Sequence, residues 1–201
     1  MKNINKPFKT IPLIIMAVIF LAATQLVMAQ TSYKLANGQD VFIKVLGSSN
    51  VHDWIMTSTV MESKGEFTTN GENLTALHAF SFQLAVKSLK SEHASMDSRM
   101  YKSVNEGKFP TISYKLTAAT ITPGQQGKFL IISKGELTIA GVTQPISMEV
   151  TAMPNFNNSI TISGSKKIQL TDYGIKPPSF MLGTMKVYND LTIQFNLIYK
   201  K

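Results

Sequence analysis

From about residue 40 onward, apolar and polar positions alternate along the chain with a period of two residues. Such alternation is typical of β-strands that bury one face. Together with similar segments near residues 40–47, 55–68 and 159–170, the pattern predicts about eight strands. The clearest segments predict an inward-facing apolar set: Phe80, Phe82, Leu84, Val86, Ile112, Tyr114, Leu116, Ile139, Met148, Val150, Leu191, Ile193 and Phe195.

Turn-forming sequences separate these segments. They include "NG" at residues 37–38 and 70–71, "PGQQG" at 123–127 and "PNFNN" at 154–158. No segment repeats another, and no low-complexity linker divides the chain. We therefore expect one all-β domain, an antiparallel barrel or sandwich.

One segment, residues 92–106, has helical spacing instead. Met96, Met100 and Val104 recur every four residues and would form an apolar stripe on one face. Ser91 precedes this segment and is a typical N-cap residue. A helix inserted between strands in this way is expected to lie near an opening of the barrel.

The first 29 residues have a different composition. Lysines precede an unbroken apolar run from Leu13 to Ala23, and small residues lead up to Ala29. A basic start, a run too short to span a bilayer and a small-residue site are typical of a secretory signal peptide. We expect residues 1–29 to be removed, which leaves residues 30–201 as an exported, periplasmic or secreted domain.

The charge of the remaining domain is mild. Three of the 20 basic residues and none of the 12 acidic residues lie in residues 1–29, so the formal charge falls from +8 to +5. Because the lysines are scattered, nucleic-acid binding is not expected, although transient contact with an anionic membrane surface is compatible with this charge. The chain has no cysteine, so its stability depends on the core rather than on disulfides.

Four blocks of the sequence, in order, resemble the YceI-like family. They are "SLKSEHASMDSRMYKSVNEGKFPTISYKL" at 88–116, "KGELTIAGVTQPISMEV" at 134–150, "LTDYGIKPPSF" at 170–180 and "VYNDLTIQFNL" at 187–197. The resemblance covers roughly residues 33–200.

This resemblance implies an extended lipocalin-like antiparallel β-barrel of an exported protein. It further implies an elongated apolar cavity that holds a long-chain amphiphile, such as a polyisoprenoid, a quinone or a related lipid. The chain departs from the family pattern in having Leu170 and Thr171 where an arginine is frequent, and in the inserted "KPPSF" before the last strand. Both departures concern the mouth of the implied cavity.

The candidate ligand-binding residues combine the inward-facing set, the apolar face of the helix and the single tryptophan. They are Trp54, Phe80, Phe82, Leu84, Val86, Met96, Arg99, Met100, Ile112, Tyr114, Leu116, Ile139, Met148, Ile193 and Phe195. A period of two cannot distinguish the lining of a cavity from a packed interior. The alternative hypothesis is therefore a packed barrel that acts through its surface, as a structural or stress-response interaction module.

Polar recognition of a head group is expected on the helix. His93, Asp97 and Arg99 flank its apolar stripe, and Arg99 is the candidate donor to a phosphate or carbonyl group. The competing interpretation is that Asp97 and Arg99 form ordinary surface pairs. His93 and Asp97 also have an i, i+4 spacing, but a third metal ligand is missing nearby, so no metal is expected.

The triplet His52-Asp53-Trp54 lies in "GSSNVHDWIM". Its residues are compatible either with a catalytic or metal site or with a purely structural role. We interpret it as a connection at one end of the barrel, where Asp53 holds a turn and the indole N–H of Trp54 meets a carbonyl. A weaker hypothesis is a small-molecule enzyme that uses His52 or His93.

The sequence carries no catalytic motif of the common nucleophile, zinc-protease or nucleotide-binding types. We expect no enzymatic activity and no cofactor. The expected partner is an isoprenoid quinone or another long-chain lipid. The oligomeric state stays open, a homodimer included.

Overall fold

The computed structural model describes residues 31–201, and antiparallel strands dominate them. The signal peptide and the domain boundary predicted around Ala29 lie outside the described residues. The strands are β1 (Thr31–Leu35), β2 (Phe42–Ser49), β3 (Asp53–Ser58), β4 (Glu62–Asn70), β5 (Asn73–Ala85), β6 (Thr111–Pro123), β7 (Phe129–Ile139), β8 (Val142–Pro154), β9 (Ile160–Gln169), β10 (Ser179–Phe180) and β11 (Met185–Lys200). One α-helix, α1 (Ala94–Ser103), and three 3-10 turns, at Val86–Ser88, Leu170–Tyr173 and Met181–Gly183, complete the described elements.

Eight strands form a closed ring, which confirms the expected all-β, barrel-like fold. The order is β1-β4-β5-β6-β7-β8-β9-β11, and β11 returns to β1 through Lys34 opposite Lys200 and Leu35 opposite Tyr199. Closure removes the free edges that an open sheet would expose. The ring therefore encloses an interior towards which every second residue of each strand points.

Strand β7 shows how the sequence pattern produces this interior. Phe129, Ile131, Leu137 and Ile139 are buried, and the residues between them are more exposed. Ser133 occupies an inward position of the same strand and is also buried. One face of β7 therefore belongs to the interior, as the alternation predicts.

Strands β2 and β3 extend the wall beyond the ring. β2 pairs with β11 from Val187 to Asn196, and β3 pairs with β2. Thr57 of β3 then exchanges two backbone hydrogen bonds with Lys90, at 2.7 and 2.9 Å. These bonds attach the β2–β3 hairpin to the segment that leads into α1, at one end of the ring.

The opposite end is closed by aromatic side chains. The Tyr33 and Phe67 rings meet edge to face with centroids 5.3 Å apart, and Tyr199 lies 5.8 Å from Phe67 and 5.7 Å from Phe80. The Tyr199 hydroxyl is 2.7 Å from Ser63 Oγ, whose own proton is donated to the Ser81 carbonyl at 2.6 Å. Tyr199 therefore donates to Ser63. We call Tyr33, Phe67, Phe80 and Tyr199 the aromatic floor.

The backbone ladder between β8 and β9 is short. Their register covers only Val150–Pro154 and Ile160–Gly164, next to the floor end. Further from the floor, Lys166 Nζ donates to the Ser147 carbonyl at 2.9 Å, and Gln144 Nε2 donates to the Asp172 carbonyl at 2.7 Å. Two side-chain bonds thus connect this part of the wall, where other strand pairs have a backbone ladder.

Helix α1 is shorter than residues 92–106, the range predicted from sequence, and Ser91 is not its N-cap. His93 takes that position without a side-chain cap hydrogen bond. Ser91 instead donates both its N–H and its hydroxyl to Asp97 Oδ1, at 2.8 and 2.7 Å. The described residues include no helix long and apolar enough to cross a membrane.

Candidate functional site

The ring encloses an apolar cavity of about 340 Å³. Inward residues of the strands form its wall, α1 and the segment from Leu170 to Val187 cover one end, and Phe80 of the aromatic floor faces it from the other. The interior of this barrel is therefore not fully packed by its own side chains. This observation weighs against the packed-barrel alternative.

Most of the candidate residues lie together in the wall of this cavity. They are Trp54, Phe80, Phe82, Leu84, His93, Met96, Arg99, Met100, Ile112, Tyr114, Leu116, Ile139, Met148, Ile193 and Phe195. Val150 and Leu191 of the inward-facing set also line it. They line the same cavity because the side chains of alternate residues in a closed ring of strands point towards its axis.

Val86 is an exception, and its predicted position on the face of β5 is wrong. The strand ends at Ala85, and Val86 begins a 3-10 turn in which its N–H donates to the Pro110 carbonyl at 2.8 Å. Its side chain is buried in the core but outside the cavity lining. The period of two fails there because the chain leaves the strand.

Asp97 is the second exception, because it faces the loop before α1 and not the cavity. Its side chain is 8 % exposed, and Oδ2 lies 3.6 Å from Lys90 Nζ. Burial alone would raise the pKa of Asp97, but the two hydrogen bonds from Ser91 and the nearby Lys90 ammonium outweigh it and lower the pKa. Asp97 therefore holds the start of the helix in place, and a head-group role has no geometric support.

Helix α1 covers the mouth of the cavity with its apolar stripe. Met96, Met100 and Val104 line the cavity, as their spacing predicts. His93 and Arg99 lie at the rim, and the Arg99 guanidinium sits 4.6 Å from the centroid of the Phe180 ring. This cation–π contact joins the helix to the segment that contains the inserted "KPPSF".

The β2–β3 turn forms another part of the rim. Ser49 Oγ accepts the N–H groups of Val51 and His52, both at 3.2 Å, and donates to the His52 carbonyl at 2.9 Å. Ser49, rather than Asp53, therefore organises the turn. His52 Nδ1 contacts the backbone carbonyl of Asp53 at 2.7 Å, so the two side chains do not form a His–Asp pair.

Trp54 lies on β3 and lines the cavity, half-buried against Gly47 of β2. The expectation that its indole N–H meets a carbonyl is wrong. Nε1 is buried, and no residue of 31–201 accepts its hydrogen bond. The indole ring is thus a part of the cavity wall, and its single polar atom has no partner within residues 31–201.

Tyr114 is the other cavity-lining residue with a buried, unpaired polar atom in the described chain. Its side chain leans against Gly135 of β7. Burial raises the pKa of Tyr114 above its ordinary value, and the neighbouring Ser133 hydroxyl offsets part of that rise. Sequence reasoning selected Tyr114 as an apolar wall residue, but alternation carries no information about its hydroxyl.

Several lining residues were not predicted from sequence. They include Ile43, Met56, Leu77, Leu89, Tyr173, Ile175, Phe180 and Leu197. Period-two alternation in β2 and β11 marks Ile43 and Leu197, whereas Tyr173, Ile175 and Phe180 belong to the irregular segment between β9 and β11. Among residues 31–201 there is no group of three or more potential metal ligands.

Comparisons with known proteins agree with this architecture. The family model of the YceI-like domain matches residues 39–199. A search of curated protein sequences found no match.

Solved structures from three different organisms illustrate the similarity of fold. A polyisoprenoid binding domain from Saccharophagus degradans, implicated in plant cell wall breakdown, has a TM-score of 0.61 at 14 % identity, covering 84 % of this chain and 97 % of that one. BcnA from Burkholderia cenocepacia has a TM-score of 0.59 at 17 % identity, covering 78 % and 95 %. The YCEI protein of Campylobacter jejuni has a TM-score of 0.53 at 14 % identity, covering 69 % and 81 %.

Proposed function

The chain belongs to the YceI-like domain family, and on that premise we propose that it is a non-enzymatic binding or carrier protein for a long-chain amphiphile. A polyisoprenoid, such as an isoprenoid quinone, is the ligand class proposed. The observation that carries the proposal is the apolar cavity enclosed by the strand ring, with α1 across its mouth. The similar fold of a polyisoprenoid binding domain supports the same class.

The physical basis of binding is burial of the hydrocarbon tail. Each CH₂ group removed from water contributes about 0.8 kcal/mol. Methionine side chains at Met96, Met100, Met148 and Met185 line the cavity and can adapt to a flexible chain. Binding of the tail would therefore need no charged contact.

The test of this function is to purify the protein from its native host under mild conditions, extract it with organic solvent and identify lipids by mass spectrometry. A stoichiometric long-chain lipid is the expected result. A cavity-filling variant, Met148→Trp, should lose the lipid, because residue 148 lines the cavity. Ile132→Trp is the matched control, because Ile132 is an exposed β-strand residue of the outer face.

Either of two results would overturn the proposal. One is an empty extract together with no uptake of added polyprenyl lipids by the purified protein. The other is equal lipid content in the Met148→Trp and Ile132→Trp variants, since binding outside the cavity would then explain any lipid found.

Export is part of the same proposal. The signal-peptide features of residues 1–29 support removal of that segment and action in the periplasm or outside the cell. The mature protein recovered from the host should begin at Gln30. A soluble periplasmic chain that retains residues 1–29, or protein confined to the cytoplasm, would contradict it.

We further propose transient contact between the cavity mouth and an anionic membrane surface. Val51, Met181 and Leu182 are 59, 71 and 109 % exposed, and Asn50 joins their two loops through its Nδ2 donation to the Thr184 carbonyl at 2.8 Å. Exposed apolar side chains beside cationic groups, here Arg99 at the rim, are suited to a lipid interface.

Vesicle co-sedimentation tests this contact. Leu182→Asp should weaken co-sedimentation with vesicles that contain phosphatidylglycerol. Phe156→Asp is the matched control, because Phe156 is fully exposed in the β8–β9 turn at the floor end of the barrel. Equal effects of the two substitutions would contradict a specific role of the mouth.

A further inference from the structure

Two polar atoms in the cavity wall have no hydrogen-bond partner within residues 31–201: Trp54 Nε1 and the Tyr114 hydroxyl oxygen. Folded proteins pair nearly all buried polar groups, because an unpaired one retains its full desolvation cost. Both exceptions line the same cavity. Because both unpaired atoms belong to residues of the same cavity wall, a shared role of the two residues in that wall is indicated.

The two atoms belong to different strands of the cavity wall. Trp54 belongs to β3, two residues after the β2–β3 turn at the rim, and Tyr114 belongs to β6. β3 is bonded through Thr57 to Lys90, which follows β5 closely in the chain, and β5 pairs with β6. A ligand that occupies the cavity would therefore lie beside both residues.

Each ring is seated against a glycine of the neighbouring strand. A Cβ atom at Gly47 would overlap the Trp54 ring, and a Cβ atom at Gly135 would overlap the Tyr114 hydroxyl. Any other residue at these positions would push the aromatic group off the wall. The glycines thus let the two rings lie flat against the wall, where the polar atom of each is buried and unpaired.

Tyr114 is the more deeply buried of the two, with 7 % of its surface exposed. The neighbouring Ser133 is 4 % exposed and donates its own proton to the Met148 carbonyl at 3.3 Å. Because the Tyr114 hydroxyl forms no hydrogen bond with any residue of 31–201, its proton is available to an acceptor on a ligand.

The charges of the wall restrict the nature of that acceptor. Among the described lining residues, Arg99 and Lys166 carry the cationic side chains. The Arg99 guanidinium stacks on Phe180 at the rim, and Lys166 Nζ is bonded to the Ser147 carbonyl. A phosphate or carboxylate beside Tyr114 would be buried without a partner, which is strongly unfavourable.

We propose that Trp54 Nε1 and the Tyr114 hydroxyl are polar subsites that select amphiphiles with neutral oxygen acceptors, such as a carbonyl group, over plain hydrocarbons and charged head groups. This inference rests on the proposed lipid-binding function and adds the chemistry of the ligand. Tyr114 and Trp54 are then specificity residues of the cavity.

The test compares three probes and three variants. The probes are geranylgeranylacetone (a polyprenyl ketone), squalene (a polyprenyl hydrocarbon) and geranylgeranyl diphosphate, with binding measured by retention of radiolabelled lipid on delipidated full-length mature protein. The variants are Tyr114→Phe, Trp54→Phe and, as the matched control, Tyr199→Phe. The control removes a buried hydroxyl that is bonded to Ser63 in the floor and lies outside the cavity lining.

The wild-type protein should prefer the ketone to the other two probes. Tyr114→Phe and Trp54→Phe should each weaken ketone binding by about two- to tenfold, the range that one net hydrogen bond provides, and leave squalene binding unchanged. Tyr199→Phe should leave the preference intact. In lipid-free protein, Tyr114→Phe should raise the melting temperature and Tyr199→Phe should lower it, because only the second hydroxyl has a partner to lose.

The outcomes distinguish this inference from the proposed function. If none of the probes binds the wild-type protein, the function itself is wrong and the inference falls with it. If the ketone and squalene bind equally, or if each variant weakens both to the same extent, lipid binding stands and the polar subsites do not. Tighter binding of the diphosphate would also overturn the inference.

Discussion

The two ends of the barrel are built in contrasting ways. At the floor, Tyr33, Phe67 and Tyr199 are at most 2 % exposed, their rings pack on one another, and the Tyr199 hydroxyl is paired with Ser63. At the mouth, by contrast, Trp54 leaves its indole N–H unpaired in the cavity wall. The aromatic side chains are thus closely packed and hydrogen-bonded at the floor, whereas a polar atom of the wall is unpaired at the mouth.

The backbone shows the same contrast. The ring closes near the floor, where β11 pairs with β1. Around the mouth, separate backbone and side-chain bonds, such as those of Asn50 to Thr184 and Lys186, connect loops instead of a continuous strand ladder. Met181 and Leu182 in the mouth have φ angles of 52° and 55°, in the left-handed region that costs non-glycine residues energy. From the packing of the aromatic floor we expect it to be the more stable end, with the binding surface in the part of the fold that can be less stable.

The largest expected effect is a loss of stability from Phe67→Ala. Phe67 is fully buried between Tyr33 and Tyr199, so removal of its ring should lower the free energy of unfolding by about 3–5 kcal/mol. Urea unfolding followed by circular dichroism measures this loss. Phe180→Ala at the rim is the matched control, since Phe180 is half-buried and should cost much less. Equal losses would mean that the two ends do not differ in stability.

Ser63→Ala tests the hydrogen bonding of the floor and should have the next largest effect. The Tyr199 hydroxyl would lose its acceptor while it remains buried, which should cost about 1–3 kcal/mol of unfolding free energy. Burial raises the pKa of Tyr199, and the Ser63 hydroxyl offsets only part of that rise. The tyrosine therefore stays neutral in the folded protein, and the loss should not depend on pH between pH 6 and 9.

Ser133→Ala is the comparison for this second prediction. Ser133 is also buried but belongs to the cavity wall, and its hydrogen bond to the Met148 carbonyl is long, at 3.3 Å. Urea unfolding should show a smaller loss for Ser133→Ala than for Ser63→Ala. A larger loss would show that the cavity wall, and not the floor, is the more tightly bonded region.

Alternation in the sequence was sufficient to predict the strand class and most of the cavity wall. In a closed ring, inward residues of all strands must meet, so a local pattern such as Phe80, Phe82 and Leu84 has a global consequence. The apolar stripe of α1 was predictable for the same reason. Local periodicity therefore accounts for the parts of the site that are made by regular elements.

The rest of the site depends on information that periodicity does not contain. Val86 continues the pattern of β5 although the chain has already turned, and Asp97 turns to Ser91 because two donors face it. The unpaired state of Trp54 and Tyr114 depends on which groups the fold brings near them. Those neighbours come from other strands, and a single sequence does not show them.

Gly47→Ala changes the cavity wall at the mouth and should have little effect on the free energy of unfolding. The new methyl group would overlap the Trp54 ring and push it into the cavity, since the ring has free volume to enter. We expect lower lipid capacity and a shift of the emission of the single tryptophan, at a cost of less than about 2 kcal/mol in unfolding free energy. Gly38→Ala, where nothing lies within 4 Å, is the control and should change neither property. Unchanged emission in Gly47→Ala would contradict the packing of Trp54 on the wall.

The smallest expected effect concerns Asp97, which anchors α1 over the mouth. Its pKa is lowered in the folded protein, so its carboxylate contributes stability above the ordinary value of 3.8, and that contribution is lost as the pH falls through the folded-state pKa. Asp97→Asn should therefore destabilise the protein at pH 6, and the difference from the wild type should shrink below pH 4. Ser91→Ala removes the main hydroxyl donor to Asp97, so the two substitutions should be less than additive in a double-mutant cycle. Full additivity, or a difference that persists at pH 2, would mean that the helix is held by other contacts; then the contrast between a bonded floor and a lightly anchored mouth would need another explanation.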